Sequence, residues 1–459
     1  MFTDITWQDY LAAADREALL LEAIRRCKAS SAFARALEAN SYFRGENPAV
    51  ARKTILRAHK VSTVDANGRR RARASTEDVV GNRIASAFLF RFVTQQNQFL
   101  LSEGVSLPED CRRALGADFD HQLERLGECA LLHGCAWGFW NADHIEVIEF
   151  AKNPYTGFFP LVDEMSGETK LGVQFWQIAP DRPMYIRVFD EEGVIIYRED
   201  RAGLHIAVEK EPYRRVYEED ALAHSITAQP GYGRLPLIPL KANTDAASEL
   251  TPAIKAKIDA YDAILSDFAD NLERSNDVYW VLNNFGGTMD DVAELLEQIN
   301  RVKAVANLSD GTGGSATAEP RTIEVPYAAR REALSLLERA LYQDYMALDM
   351  DALTGGSLTN VAIRAACANL NLKADRYEWE VRRFVTNLLA LIGHPTEDVR
   401  FKRQTIANDS EVVSDIYTMR QDIDHRTALR LNPYIQEEQI EGLVHDDGRQ
   451  IAAPTNATA

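Results

Sequence analysis

The chain has 459 residues, 46% of them hydrophobic and 26% charged, with a net charge of −18. That length suffices for two or three packed units, the composition excludes wholesale disorder, and the acidity excludes bulk binding to DNA phosphates. No uninterrupted run of about 18 apolar residues occurs, so no transmembrane helix is expected. The opening MFTDITWQDY lacks the basic and apolar regions of a secretion signal, and five scattered cysteines suit a reducing compartment.

The charge is uneven. Residues 1–75 hold 14 Lys/Arg against 8 Asp/Glu, a net of +6, which leaves −24 for the rest. Nine of these basic residues lie between Arg44 and Arg73, and Arg69, Arg70, Arg71 and Arg73 close the segment. It reads either as a solvated loop or as a contact patch for an acidic partner.

Taken in order, apolar spacing predicts helix over 7–40, a turn-rich break over Ser41–Ala49, helix over 76–100 and an amphipathic helix over 118–134. From Trp137 to about Tyr217 the texture becomes that of β-strands. Runs such as Trp137–Trp140, Ile145–Ile148, Val173–Trp176, Tyr185–Phe189 and Val194–Tyr197 predict antiparallel hairpins, with a turn at Asp190–Gly193. Leu235–Leu240 reads as an extended linker. A long helix then starts with Thr251 as N-cap and Pro252 at its first position. Ile254, Ile258, Tyr261, Leu265, Phe268 and Leu272 follow as a heptad-like seam, and Asp259, Asp262, Ser266 and Asp270 make another face acidic.

Residues 278–325 read as a small mixed insert. It has strands at Val278–Leu282, Val302–Leu308 and Thr322–Val325, a Gly286–Gly287 turn, a short helix near 289–300 and a flexible Asp310–Ala318. A second helix from Pro326 carries Leu334, Leu337, Leu341 and Leu348, and it breaks at Leu353–Asn360. A third runs from Val361 to Ile392 and stops at Gly393-His394-Pro395. The remainder reads as helical, with a disordered end at Ala452–Ala459.

Catalytic signatures are missing. There is no P-loop, G-x-G-x-x-G, H-E-x-x-H or G-x-S-x-G. Gly311–Ser315 imitates a phosphate cradle but has no nearby Lys and no strand-to-helix setting. Cys129, His133 and Cys135 lack a fourth zinc ligand and read as buried core residues. Asn141–His144 and the Asp349, Asp351 pair read as turns or helix ends rather than metal sites. Neither cofactor nor metal is expected, and no catalytic residue.

The order of parts resembles the portal proteins of long-tailed (siphovirus-type) double-stranded-DNA phages. The resemblance rests on Tyr42–Pro48, on Leu131–Trp137 followed by strands, and on Gly233–Asn243. Its two strongest segments are Ile258–Glu273 and Leu358–Asn360 through Leu370–Ala374. One departure is visible, because the family's paired asparagine is Asn243-Thr244 in this chain.

The resemblance implies an α+β, mostly α-helical portal fold with an α/β wing, a helical stem, a small α/β clip and a helical crown. On that mapping the wing is 1–250, the stem 251–277 and 326–348, and the clip 278–325. The tunnel loop is then 349–360, the long wing helix 361–392 and the crown 393–459.

It further implies a homo-oligomeric ring of about twelve subunits at one capsid vertex of the virion, assembled in the host cytoplasm. Double-stranded DNA would pass through it during packaging and ejection. Its partners would be the terminase large subunit that drives packaging, a head-completion or tail adaptor protein, and the major capsid and scaffold proteins, with no membrane.

Asp349, Asp351, Thr354, Gly355, Gly356, Ser357, Thr359 and Asn360 would then line the channel at the tunnel loop, anchored by Met350, Leu353 and Leu358. Asp259, Asp262 and Asp270 would line the wall along the stem. The competing classes are a helical virion scaffold or adaptor without a channel, and a metal-dependent nuclease using Asp349 and Asp351.

Overall fold

The computed structural model describes residues 3–64, 70–201, 203–220, 223–229, 231–275, 278–283, 317–322, 327–350, 359–403, 409–419, 423–435, 440 and 444. For 56–64, 70–78, 214–220, 223–229, 274–275, 278–283, 317–322 and 409–410 it describes the backbone alone.

The first stretch folds as α1 (Trp7–Ala12), α2 (Arg16–Ala29), α3 (Ser31–Phe43) and α4 (Pro48–Ala51), where one long helix over 7–40 was expected. Local caps divide it. Asp15 accepts from the Ala18 N–H, while the Ser30 hydroxyl accepts from the Phe33 N–H, so Ser30 ends α2 and starts α3.

A hairpin of β1 (Thr54–Val64) and β2 (Arg70–Val80) follows, and the helix α5 (Phe88–Leu101) begins only after it. The expected helix over 76–100 therefore starts only at Phe88, because Thr76–Val80 pairs with Thr54–Ala58 as strand. Of the basic cluster, Arg70, Arg71 and Arg73 stand in β2 opposite Val64, Thr63 and Val61, and Arg69 lies outside the described residues.

The chain continues through β3 (Val105–Ser106), α6 (Glu109–Leu115) and α7 (Phe119–His133) into the β region. The strands β4 (Cys135–Asn141), β5 (His144–Glu149), β6 (Ala151–Asn153), β7 (Thr156–Val162), β8 (Thr169–Gln177), β9 (Met184–Phe189), β10 (Gly193–Asp200), β11 (Gly203–Pro212), β12 (Arg214–Asp220), β13 (Ala223–Gln229) and β14 (Leu237–Lys241) follow. Strands β6 to β11 form a six-stranded antiparallel meander. The Asp190–Gly193 turn stands as expected, its carboxylate accepting from the Glu192 and Gly193 N–H groups.

Leu235–Leu240 is no linker. Its second half is β14, which pairs with β4 and completes the sheet β14-β4-β5.

That three-stranded sheet is a partition between two cores. Along β4, Cys135, Trp137 and Phe139 face the core built on the meander, α2 and α3, while Ala136 and Trp140 face the core built on α5, α7 and the later long helix. A strand buried on both faces must be apolar throughout, and Trp137-Gly138-Phe139-Trp140 meets that demand. Gly138 has no room for a side chain, since a Cβ there would sit 2.7 Å from Phe384 Cζ. Gly134 caps α7 in the left-handed region at φ 87°, and the Ala246 carbonyl approaches it too closely for any Cβ.

The stalk begins with α8 (Pro252–Ser275), whose Thr251 hydroxyl accepts from the Ile254 N–H as expected. The strands β15 (Val278–Asn283) and β16 (Thr317–Thr322) pair antiparallel at its far end. The second strand therefore starts inside the stretch read as flexible loop. The expected Gly286–Gly287 turn, helix 289–300, strand 302–308 and phosphate-cradle mimic lie outside the described residues.

The return helix is α9 (Tyr327–Tyr345), followed by α10 (Asn360–Ala366) and α11 (Ala368–Leu391). The expected single helix 361–392 is thus interrupted at Cys367, whose carbonyl also accepts from the Asn371 side-chain amide. Gly393, at φ 88°, stops it as expected. Beyond it come β17 (Arg400–Phe401), α12 (Asp409–Met419) and α13 (His425–Leu431), and Ala452–Ala459 lies outside the described residues.

Candidate functional site

The stem helix α8 carries the residues expected to face the channel, and it turns them inward. Ile254, Ile258, Asp262, Ser266 and Asp270 recur every fourth position and are all buried. Asp262 is 0% exposed and Asp270 5%, so neither lines a watery wall. This corrects the expectation for Asp262 and Asp270. Asp259 is one-quarter exposed, but the Tyr42 hydroxyl donates to it and the Lys255 ammonium lies 3.0 Å away. The carboxylates act inside one subunit.

What covers them is the extended strap of residues 81–87. Its backbone N–H groups at alternate positions donate to alternate turns of the helix. Asn82 donates to Asp270 Oδ1 at 2.7 Å, Ile84 to Ser266 Oγ at 3.0 Å, and Ser86 to Asp262 Oδ1 at 3.0 Å.

The periods match. Two residues of extended chain advance about 6.6 Å and four residues of helix about 6.0 Å, so three rungs stay in register. The strap residues are half-buried or exposed, and this ladder gives the N–H groups of 82, 84 and 86 the acceptors that a neighbouring strand would otherwise supply. Asn47 and Lys53, at the other root of the β1–β2 hairpin, close the same face. The Asn47 amide donates to Asp262 at 2.7 Å, and Lys53 lies 2.6 Å from Asp270 and 2.7 Å from Asp267.

The two buried carboxylates are tuned in opposite directions. Desolvation raises Asp262, and hydrogen bonds from Asn47 and Ser86 offset only part of it. Burial acts on Asp270 as well, but the hydrogen bonds from Lys53 and Asn82 together with the Lys53 charge hold it below the usual carboxylate range. Lys53 is correspondingly raised, its own desolvation outweighed by Asp267 and Asp270.

The loop between α9 and α10 is the second place where function was expected. Its ends are fixed from outside. Gln95 on α5 brackets the Leu348 backbone, accepting from its N–H at 2.8 Å and donating to its carbonyl at 3.0 Å. Leu348 packs with Ile363, Cys367 and Leu370, which ties the two flanks of the loop together. On the far flank the Thr359 hydroxyl caps α10 and the Asn360 N–H donates to Glu411 at 2.6 Å.

Nearby, Lys373 reaches the Tyr345 carbonyl at 2.8 Å and Glu249 at 2.7 Å, with its ammonium over the Tyr345 ring. Desolvation lowers its pKa, and Glu249 opposes that. Met350 is 52% exposed and anchors nothing, which corrects that expectation, and Leu348 takes the role. Asp349 is half-buried on the near flank. Asp351, Leu353, Thr354, Gly355, Gly356, Ser357 and Leu358 lie outside the described residues.

The remaining candidates fall apart as chemistry. His133 is buried, pairs through Nε2 with the Asn40 amide oxygen at 2.8 Å, and is lowered by desolvation to about 4. Cys129 and Cys135 are buried thiols, the latter raised to about 12 by desolvation. Among the described residues no cluster of three metal-ligating side chains forms, and no helix is long and apolar enough to cross a membrane.

Sequence reasoning missed the strap ladder. Its signal was the fourfold spacing that carries Ile254 and Ile258 on into Asp262, Ser266 and Asp270.

Comparison with known proteins supplies the identity that no single side chain does. Residues 29–451 match the family described as phage portal protein, SPP1 Gp6-like. The portal protein of Bacillus phage SPP1 is 26% identical over 395 residues, 78% of this chain and 75% of that protein. The portal protein of Clostridium phage phiCD119 is 28% identical over 227 residues, so the match spans only 49% of that relative and 48% of this chain. With a family match over nearly its whole length and a stalk of two long helices bearing an antiparallel pair of strands, this chain belongs to the SPP1 Gp6-like family of phage portal proteins.

Proposed function

We propose that this chain is one subunit of a ring of about twelve at a capsid vertex of the virion, forming the channel through which double-stranded DNA is packaged and ejected. The family match over 29–451 carries this reading. The helix pair α8 and α9 with its inserted pair of strands supports it, because a rigid rod of about 36 Å suits a stem better than a catalytic pocket. The role is structural, and the chain is not an enzyme.

In this reading 1–250 is the wing, 251–277 with 326–348 the stem, 278–325 the clip, 361–392 the long wing helix and 393–459 the crown. The clip is the docking surface for the terminase large subunit and then for the tail adaptor. Arg69, Arg70, Arg71 and Arg73 meet an acidic partner, either packaged DNA or a capsid or scaffold protein. Segment 349–360 is the tunnel loop, and Gly355-Gly356 lets it change shape between two fixed flanks.

Electron microscopy and native mass measurement of the purified full chain test the ring. Rings with a central hole are expected, and monomers or dimers alone at micromolar concentration sink the reading. Ser357→Lys in every subunit tests the loop, because it places new cations against the moving phosphates. Packaging is expected to slow while rings persist, and packaging at the normal rate removes this segment from the channel. Thr359 is unsuited to that test because its hydroxyl caps α10.

A further inference from the structure

Helix α11 has two opposite faces of unusual character. Leu370, Ala374, Tyr377, Val381, Phe384, Leu388 and Leu391 form its buried seam at spacings of four and three. Diametrically opposite run Leu372, Arg376, Trp379, Arg383, Asn387 and Ala390, all exposed.

A surface helix ordinarily presents charge and amide groups on that side. This one presents Leu372 at 58% and Trp379 at 72% exposure, one heptad apart. An open groove of about 440 Å³ lies beside Trp379, bordered by Glu380, Arg383, Thr386 and Asn387. Arg376 and Arg383 bracket Trp379 at one turn on either side. Neither forms an ion pair among the described residues, whereas Arg382 on the flank is paired with Glu378 at 2.6 Å. The face, about 27 Å long, thus offers a largely exposed indole between two free guanidinium groups.

We propose that this outer face of α11 is the surface by which one subunit packs on the next in the ring. The proposal rests on the portal reading above. Its occupant is a second copy of this chain because the chemistry is complementary. Each copy carries −18 overall, so its surface offers carboxylates to Arg376 and Arg383 that the face's own subunit does not supply. Tryptophan and arginine are the side chains that most often dominate the energy of such contacts. Packing against a different surface of the neighbour, rather than against the same face, is what lets a chain of copies close into a ring. Burying Leu372 and Trp379 also removes the largest apolar patch on an otherwise well-packed helix from water.

The full chain tests this. Trp379→Glu, alone and with Leu372→Glu, is expected to lower ring yield at least tenfold by native mass and electron microscopy. Circular dichroism and the thermal midpoint of the monomer stay near wild type, since neither side chain is in the core. Trp379→Phe keeps an aromatic ring and is expected to retain most ring formation.

A second measurement does not depend on how the glutamate variants behave. The five native cysteines are all buried, so Arg383→Cys introduces one reactive surface thiol. It is expected to react with a thiol reagent in the monomer and to be protected at least tenfold in the ring. Wild-type rings accompanied by normal rings of Trp379→Glu overturn the inference alone. Rings in which the thiol at 383 stays fully reactive overturn it too and leave the face to a different protein. A wild-type chain that never forms rings removes the portal reading and this inference with it.

Discussion

The partition sheet and the strap ladder are both buried, and they are held by opposite physics. At β4 the two cores meet across Trp137, Phe139 and Trp140, and the energy is apolar area. It has no direction, and neighbours compensate one another. At α8 the buried surface is Asp262, Ser266 and Asp270 under the strap, and the energy is a set of paired donors and acceptors. Such a set is worth little net over water when complete and costs much when one member is removed. The partition therefore supplies bulk stability, and the ladder fixes how the roots of the β1–β2 hairpin sit on the stem.

The comparison breaks first on size. Trp137→Ala opens a cavity in the core on the meander side of the partition, and we expect a loss of about 4 kcal/mol in denaturant unfolding at an unchanged slope. A loss under about 1 kcal/mol would mean the partition is not the centre of the fold. Asp270→Ala takes from Lys53 its buried partner, leaving it Asp267, and leaves the Asn82 N–H without its acceptor, and a loss of about 2 kcal/mol is expected.

Additivity sharpens the contrast. Ser266→Ala removes one rung and costs about 1 kcal/mol. Combined with Asp270→Ala, its effect should depart from the sum by more than about 0.5 kcal/mol, because the rungs share one strap. Combined with Trp137→Ala it should add. If both pairs add, the strap is not a cooperative unit.

The smallest effect is in acid. Asp270 titrates low in the folded state, so the stability it contributes is present above the unfolded pKa of about 3.9 and is lost as pH falls through its folded value. Asp262 titrates high, so it takes up its proton sooner when folded and opposes that loss. Over the carboxylate range, Asp270→Asn is expected to flatten the acid decline of stability and Asp262→Asn to steepen it. Equal slopes in both variants would contradict the opposite tuning.

The sequence by itself determined the element types, wherever one local period ruled. The hairpins from Trp137 onward, the turn at Asp190–Gly193, the start of α8 at Thr251 and the stop at Gly393 all follow from alternation, caps and backbone freedom within a few residues. The family was legible too, through the order of its segments, and 29–451 matches it.

The direction in which polar residues point was decided only by the tertiary structure. Asp262, Ser266 and Asp270 read as a solvated acidic wall because charge alone suggests water. Their burial depends on donors from residues about 180 positions earlier in the chain, and no local pattern announces that pairing. The same long-range demand drew 81–87 out of an expected helix, since a helix would have spent on itself the N–H groups that α8 needs. It also replaced Met350 by Leu348 as the anchor of the loop, because Gln95 on a distant helix fixes the backbone there. Hydrophobic burial is written into short spacing. Polar burial needs a partner, and the fold alone brings it within reach.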